Sequence, residues 1–216
     1  ERYWNPPLEL LREKVKREGD VKNVLNFLHQ NLGVDWEVYY KPYLDGLCPD
    51  IVLLNENIGI QIIEFEKERT NPLSTLNICK EELLKFYIPA ASIKNFRREL
   101  ITRCLALPSL DKEEVSSKVD EWNNGTTPKQ SNYFSIISKE TLEEKDIKRA
   151  VPFSDWTSSK YMNENLAKSL RAHLMTSDYI LEDFDQLKIR DLDDNQRNLV
   201  LTRTKNGYRA IRGSSG

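Results

Sequence analysis

The chain has 216 residues, enough to bury a substantial core, and sets 32 basic against 34 acidic residues, so no overall basic field announces a binder of polyanions. Three cysteines at unrelated spacings, Cys48, Cys79 and Cys104, exclude a CxxC zinc knuckle and a disulfide framework and fit a reducing cytoplasm. No apolar run approaches the ~20 residues of a membrane span, and the two histidines, His29 and His173, leave little material for histidine-based chemistry and read as structural or surface residues.

In chain order, Leu8, Leu10, Leu11 and Val15 after Pro6-Pro7 predict a helix ending near Gly19. Val21, Val24, Leu25, Phe27 and Leu28 predict a second helix, capped by Asp20 and stopped at Gly33, with Glu18 just before it. Trp36 to Tyr40 reads as a strand rich in aromatic and β-branched residues, followed by a loop through Lys41-Pro42 and Asp45-Gly46. The runs Ile51–Leu54 and Ile58–Phe65 are too short and too β-branched for helices, and Asn55-Glu56-Asn57 between them predicts a β-hairpin.

That hairpin carries the candidate chemistry. A turn centred near Asn57 places Asp50 opposite Glu64, and the period of two puts Glu66 on the same face. Three converging carboxylates repel one another unless a cation compensates, and an all-oxygen set favours Mg²⁺ or Mn²⁺ over zinc. Such a metal, held by Asp50 and Glu64, would activate a water and offset the charge on an attacked phosphate, with Glu66 as a further ligand or a general base. By alternation Lys67 points to the opposite face and is a poor partner for the site unless the strand bulges, so Lys80, on the next helix, is the candidate for charge stabilisation.

Beyond the hairpin, Asn71-Pro72 reads as a break, Leu76–Tyr87 as a helix covering the sheet, and Leu100–Leu107 as a strand. Lys94, Arg97, Arg98 and Arg103 form a basic patch suited to phosphates, against the plainer reading of a solvated face. Residues 111–130 are polar, with a loop at Asn123-Asn124-Gly125. A short strand over Tyr133–Ile137, a helix over Thr141–Arg149 with Thr141 and Glu144 as a capping pair, and a helix over Tyr161–Met175 with Leu166, Leu170 and Leu174 on one face follow. In the tail, Asp193–Val200 reads as the start of a helix and Tyr208–Ile211 as a strand running into a Gly-Ser-rich turn.

Pro49-Asp50, the hairpin and Glu64-Phe65-Glu66 resemble the PD-(D/E)xK nuclease superfamily. More closely, the stretches EGDVKNVLNFLHQNLGVDWEVYYKP and CPDIVLLNENIGIQIIEFE resemble the nuclease-related domain that opens some superfamily 1 DNA helicases. LDDNQRNLV is similar to the helicase Q motif, and IRGSSG to the start of a Walker A loop. The resemblance implies a restriction-endonuclease-like mixed sheet flanked by helices, with a nuclease core over 1–110, an accessory part over 111–190, and a helicase ATPase beginning over 191–216. It implies Asp50, Glu64 and Glu66 with Glu18 as ligands of Mg²⁺ or Mn²⁺, DNA as substrate, and Gln196, Gly213 and Gly216 as ATP contacts that work only within a full-length protein. The partners it implies are the helicase motor of the same polypeptide and, since many such nucleases pair to cut two strands, a second copy; its settings are DNA processing and defence against foreign DNA. The sequence departs from the superfamily where a lysine usually stands, at Glu66, so the alternative is a nuclease-fold module that binds or docks DNA without cutting it.

Overall fold

The computed structural model describes residues 2–15, 18–42, 44, 47–67, 71–84, 101–122, 133–159 and 162–174. Expectations for Lys94, Arg97, Arg98 and the whole tail, with Gln196, Gly213 and Gly216, lie outside them.

The described residues form an α/β fold around one mixed sheet of six strands, β1 (Trp4–Asn5), β2 (Glu37–Tyr40), β3 (Ile51–Asn55), β4 (Gly59–Phe65), β5 (Ile101–Ala106) and β6 (Phe134–Ile137), ordered in space as in sequence. β2–β3 and β3–β4 pair antiparallel, whereas β1–β2, β4–β5 and β5–β6 pair parallel. Every residue of β3 and β4 is buried, as continuous apolar runs covered on both faces require.

One face is covered by α3 (Pro72–Glu82), α4 (Lys112–Trp122) and α7 (Glu164–Leu174), through Leu76, Val115, Val119, Leu166 and Leu170 among others. The other face is covered by α1 (Leu8–Lys14), α2 (Gly19–Asn31), α5 (Lys139–Glu143) and α6 (Ile147–Ala150), through Leu11, Val24, Leu28 and Ala150. β6 and the helices after residue 110 therefore share the sheet and both cores with the earlier elements. Among the described residues no helix is long and apolar enough to cross a membrane.

Several boundaries differ from the sequence reading, each for a local reason. Asn71-Pro72 begins a helix: the Asn71 side chain accepts from the N–H groups of Leu73 and Ser74, and Pro72 occupies the first helical turn, where a missing donor costs nothing. The polar stretch after Asp111 folds as α4, because Asp111 accepts from the N–H groups of Glu113 and Glu114 while Val115 and Val119 give it a narrow buried stripe. The helix expected over Thr141–Arg149 is two short ones, α5 and α6, separated at Lys145, whose φ of 54° is left-handed. Ser138 and Asp146 cap them, and Thr141 is the third helical residue of a capping box, not the cap.

The hairpin is as expected. Asn55 pairs with Gly59 and Ile51 with Ile63, and the turn is closed by Ile58 N–H donating to Asn55 O at 3.3 Å and Asn57 N–H donating to Asn55 Oδ1 at 2.9 Å.

Candidate metal centre

Extending the β3–β4 register one residue past Ile51↔Ile63 brings Asp50 opposite Glu64. Each acid accepts from the backbone of the other strand: Phe65 N–H donates to Asp50 Oδ2 at 3.0 Å, and Asp50 N–H donates to Glu64 Oε1 at 3.2 Å. The open end of the hairpin is thus stitched by its own carboxylates, both of them buried, Asp50 at 3% and Glu64 at 1% exposure.

Burial disfavours the charged form of Glu64, and the neighbouring Asp50 adds to it, so the Glu64 pKa is pushed up to about 8 although Lys67 opposes the shift. The Lys67 ammonium lies 2.9 Å from Asp50 Oδ2 and 3.1 Å from Glu64 Oε2, its side chain 43% exposed. Burial lowers the Lys67 pKa, but the two carboxylates more than offset this and raise it. Strand alternation placed Lys67 on the far face. Regular pairing of β4 ends at Phe65, opposite Ala106 of β5, so the period of two no longer governs residues 66 and 67, and Lys67 turns back onto Glu64 three residues earlier.

The same release sends Glu66 elsewhere. Its carboxylate pairs with Lys118 of α4, and the expected three-carboxylate cluster is a two-carboxylate pair. Among the described residues no three His, Cys, Asp or Glu side chains form a group able to hold a metal ion. Glu18 is the N-cap residue of α2, at the same end of the sheet, where its charge reaches Tyr40 and Lys41. Lys80 lies buried on α3, and the ammonium on the acid pair is that of Lys67. Arg103 donates to Asn77 of α3 and lies 5.7 Å from the centre of the Phe134 ring.

A residue to which the sequence reading gave no role also stands here. Lys41 follows β2 directly and donates its backbone N–H to Asp50 O at 2.8 Å, and its ammonium lies 5.2 Å from the centre of the Tyr40 ring. Carrying the β2–β3 register one residue beyond Tyr40↔Ile51 would have placed Lys41 beside Asp50. A cavity of about 410 Å³ opens between the start of α2 and the ends of β4 and β5, lined by Glu18, Asp20, Phe65, Glu66, Leu107 and Ser109 among others.

No family model matches this chain, and neither does any curated protein or solved structure. Two buried carboxylates, one of them Glu64 with its proton affinity raised by burial and by Asp50, that share one monovalent cation suit a small hard dication, which binds to one or two carboxylates and keeps its other positions for water and phosphate oxygens. Asp50 and Glu64 fit Mg²⁺ or Mn²⁺ in that sense.

Proposed function

We propose that this chain is a Mg²⁺- or Mn²⁺-dependent nuclease module of the PD-(D/E)xK kind, acting on DNA, and the opening part of a nuclease–helicase polypeptide engaged in DNA processing or defence against foreign DNA. The observation that carries this reading is Lys67 lying on both Asp50 and Glu64. The lysine that the superfamily pattern places two residues after the second acid is here three residues after it, and the end of β4 turns it back onto the acid pair. The substitution at Glu66 then no longer argues against activity.

In the proposed reaction, hydrolysis of a phosphodiester, a water oxygen bonds to phosphorus and gives up a proton to solvent, the bond from phosphorus to one sugar oxygen breaks, and that oxygen leaves with a proton taken from solvent. A divalent metal held by Asp50 and Glu64 would lower the pKa of the water and offset charge on the phosphate. Lys67, exposed on its solvent side, donates to phosphate oxygens as their charge grows.

The alternative, a non-cleaving DNA-docking module, is favoured by one feature: Lys67 already neutralises part of the acid pair, so the site does not need a metal to fold. Incubation of single- and double-stranded DNA with Mg²⁺ or Mn²⁺ separates the two. Metal-dependent cleavage that falls by about a hundredfold or more in Asp50→Ala supports the nuclease; equal activity in wild type and Asp50→Ala would sink it, and metal-independent, salt-sensitive binding without cleavage would favour docking.

A further inference from the structure

Resting on the nuclease reading, we infer that Lys41, set against Tyr40, is a second phosphate subsite, which holds a phosphate next to the one that is cut, so that the site takes a chain of phosphodiesters and not an isolated one.

The first ground is position. Asp50 has the Lys41 backbone across the sheet on its β2 side and Glu64 with the Lys67 ammonium on its β4 side, and the charge of Asp50 reaches the Lys41 ammonium. The second is backbone conformation. Lys41 has φ 49°, a left-handed conformation that costs an L-residue about 1–2 kcal/mol and that glycine or asparagine adopts more cheaply. The conformation is pinned from both sides: its N–H donates to Asp50 O, and the Cys48 thiol lies 3.6 Å from its carbonyl oxygen. Strain of this kind concentrates where a side chain must be aimed.

The third ground is what the ammonium meets. It is held near the ring of Tyr40, a residue only 9% exposed and therefore a fixed support, while Lys41 itself is exposed. Among the described residues no carboxylate is ion-paired with Lys41, unlike Lys67, Lys118 and Lys148, each of which has an acid at hydrogen-bond distance. An exposed cation positioned by a phenol, within reach of the charges of Glu18 and Asp50 but in no carboxylate ion pair among the described residues, is suited to an anion from solution, and the anion a polynucleotide presents there is its neighbouring phosphate.

The test uses the full chain with Lys41→Asn and Lys41→Gly, both compatible with the left-handed backbone, so that folding is preserved. Two probes are compared in Mn²⁺: a single-stranded DNA oligonucleotide and bis(4-nitrophenyl) phosphate, which has one phosphodiester and no neighbour. The subsite predicts that KM for the oligonucleotide rises about tenfold more than KM for the small ester, with kcat for the oligonucleotide changing by less than about twofold. Equal losses on both probes, or no loss on either, would overturn it. If wild type cleaves neither probe, the nuclease reading fails separately, and binding of the same oligonucleotide to the Asp50→Asn protein decides the subsite: Lys41→Asn in that background must weaken binding and reduce the salt slope by about one. No binding, or an unchanged slope, overturns it.

Discussion

The two ends of the central hairpin each hold one cation between two carboxylates, and they do opposite things with the arrangement. At the turn end, Arg171 of α7 reaches Glu37 of β2 at 2.6 and 2.8 Å and Glu56 at 2.8 Å, while Tyr39 donates to the other Glu37 oxygen at 2.6 Å. There the cation, 29% exposed, sits between Glu37 at 14% and Glu56 at 46%, and its planar, multi-donor geometry ties a helix to the sheet. At the open end both acids are buried, at 1–4% of their side chains, and the lysine alone is exposed, at 43%. A cation on the outside of a buried acid pair can be displaced by another, whereas a guanidinium wedged among acids and a phenol acts as a latch. The same charge pattern thus makes a fastening at one end and an exchangeable site at the other.

The sharpest way to break this comparison is to vary pH without divalent metal. The Glu64 pKa stands at about 8, raised by burial and by Asp50 from an ordinary 4.5. Between those values the folded chain holds a proton that the unfolded chain has released, so this group's contribution to stability is full below about 4.5 and is lost as pH rises towards about 8. Thermal melts from about pH 5 to about pH 9 should show a falling Tm in wild type and a flatter profile in Glu64→Gln. Parallel profiles would mean that the open end is not the proton-sensitive one. A smaller effect is expected at the turn end. Arg171→Ala should cost about 1–2 kcal/mol by denaturant titration, through lost charged hydrogen bonds on a partly exposed residue, with cleavage per folded molecule preserved. Smaller still is Glu66→Gln. Its ion pair with Lys118 is exposed on both sides, so a cost of less than about 1 kcal/mol and an unchanged cleavage rate are expected.

How much of this was legible in the sequence depends on where regular structure stops. The hairpin could be read because β-branched runs flank a polar turn, and its register followed from the turn, which is why Asp50 opposite Glu64 needed no coordinates. The period of two holds only inside a paired strand. It gave the wrong side for Lys67 and the wrong company for Glu66, both beyond the last paired residue, Phe65. Lys118 could not be foreseen as the partner of Glu66 because α4 has a stripe of only Val115 and Val119 in a polar sequence, too sparse to announce a helix. Lys41 was hidden for the opposite reason: its place follows from the β2–β3 register, but nothing local marks a lysine as left-handed.

The central claim is that the acids of the open end take a divalent cation that competes with Lys67. Calorimetric titration of Mn²⁺ into the metal-free chain at about pH 8 addresses it directly, with Asp50→Asn and Lys67→Met in parallel. The account predicts one Mn²⁺ per chain in wild type, binding with proton release, tighter binding in Lys67→Met, and none at that site in Asp50→Asn. Mn²⁺ binding equal in all three proteins, or absent from wild type, would contradict it.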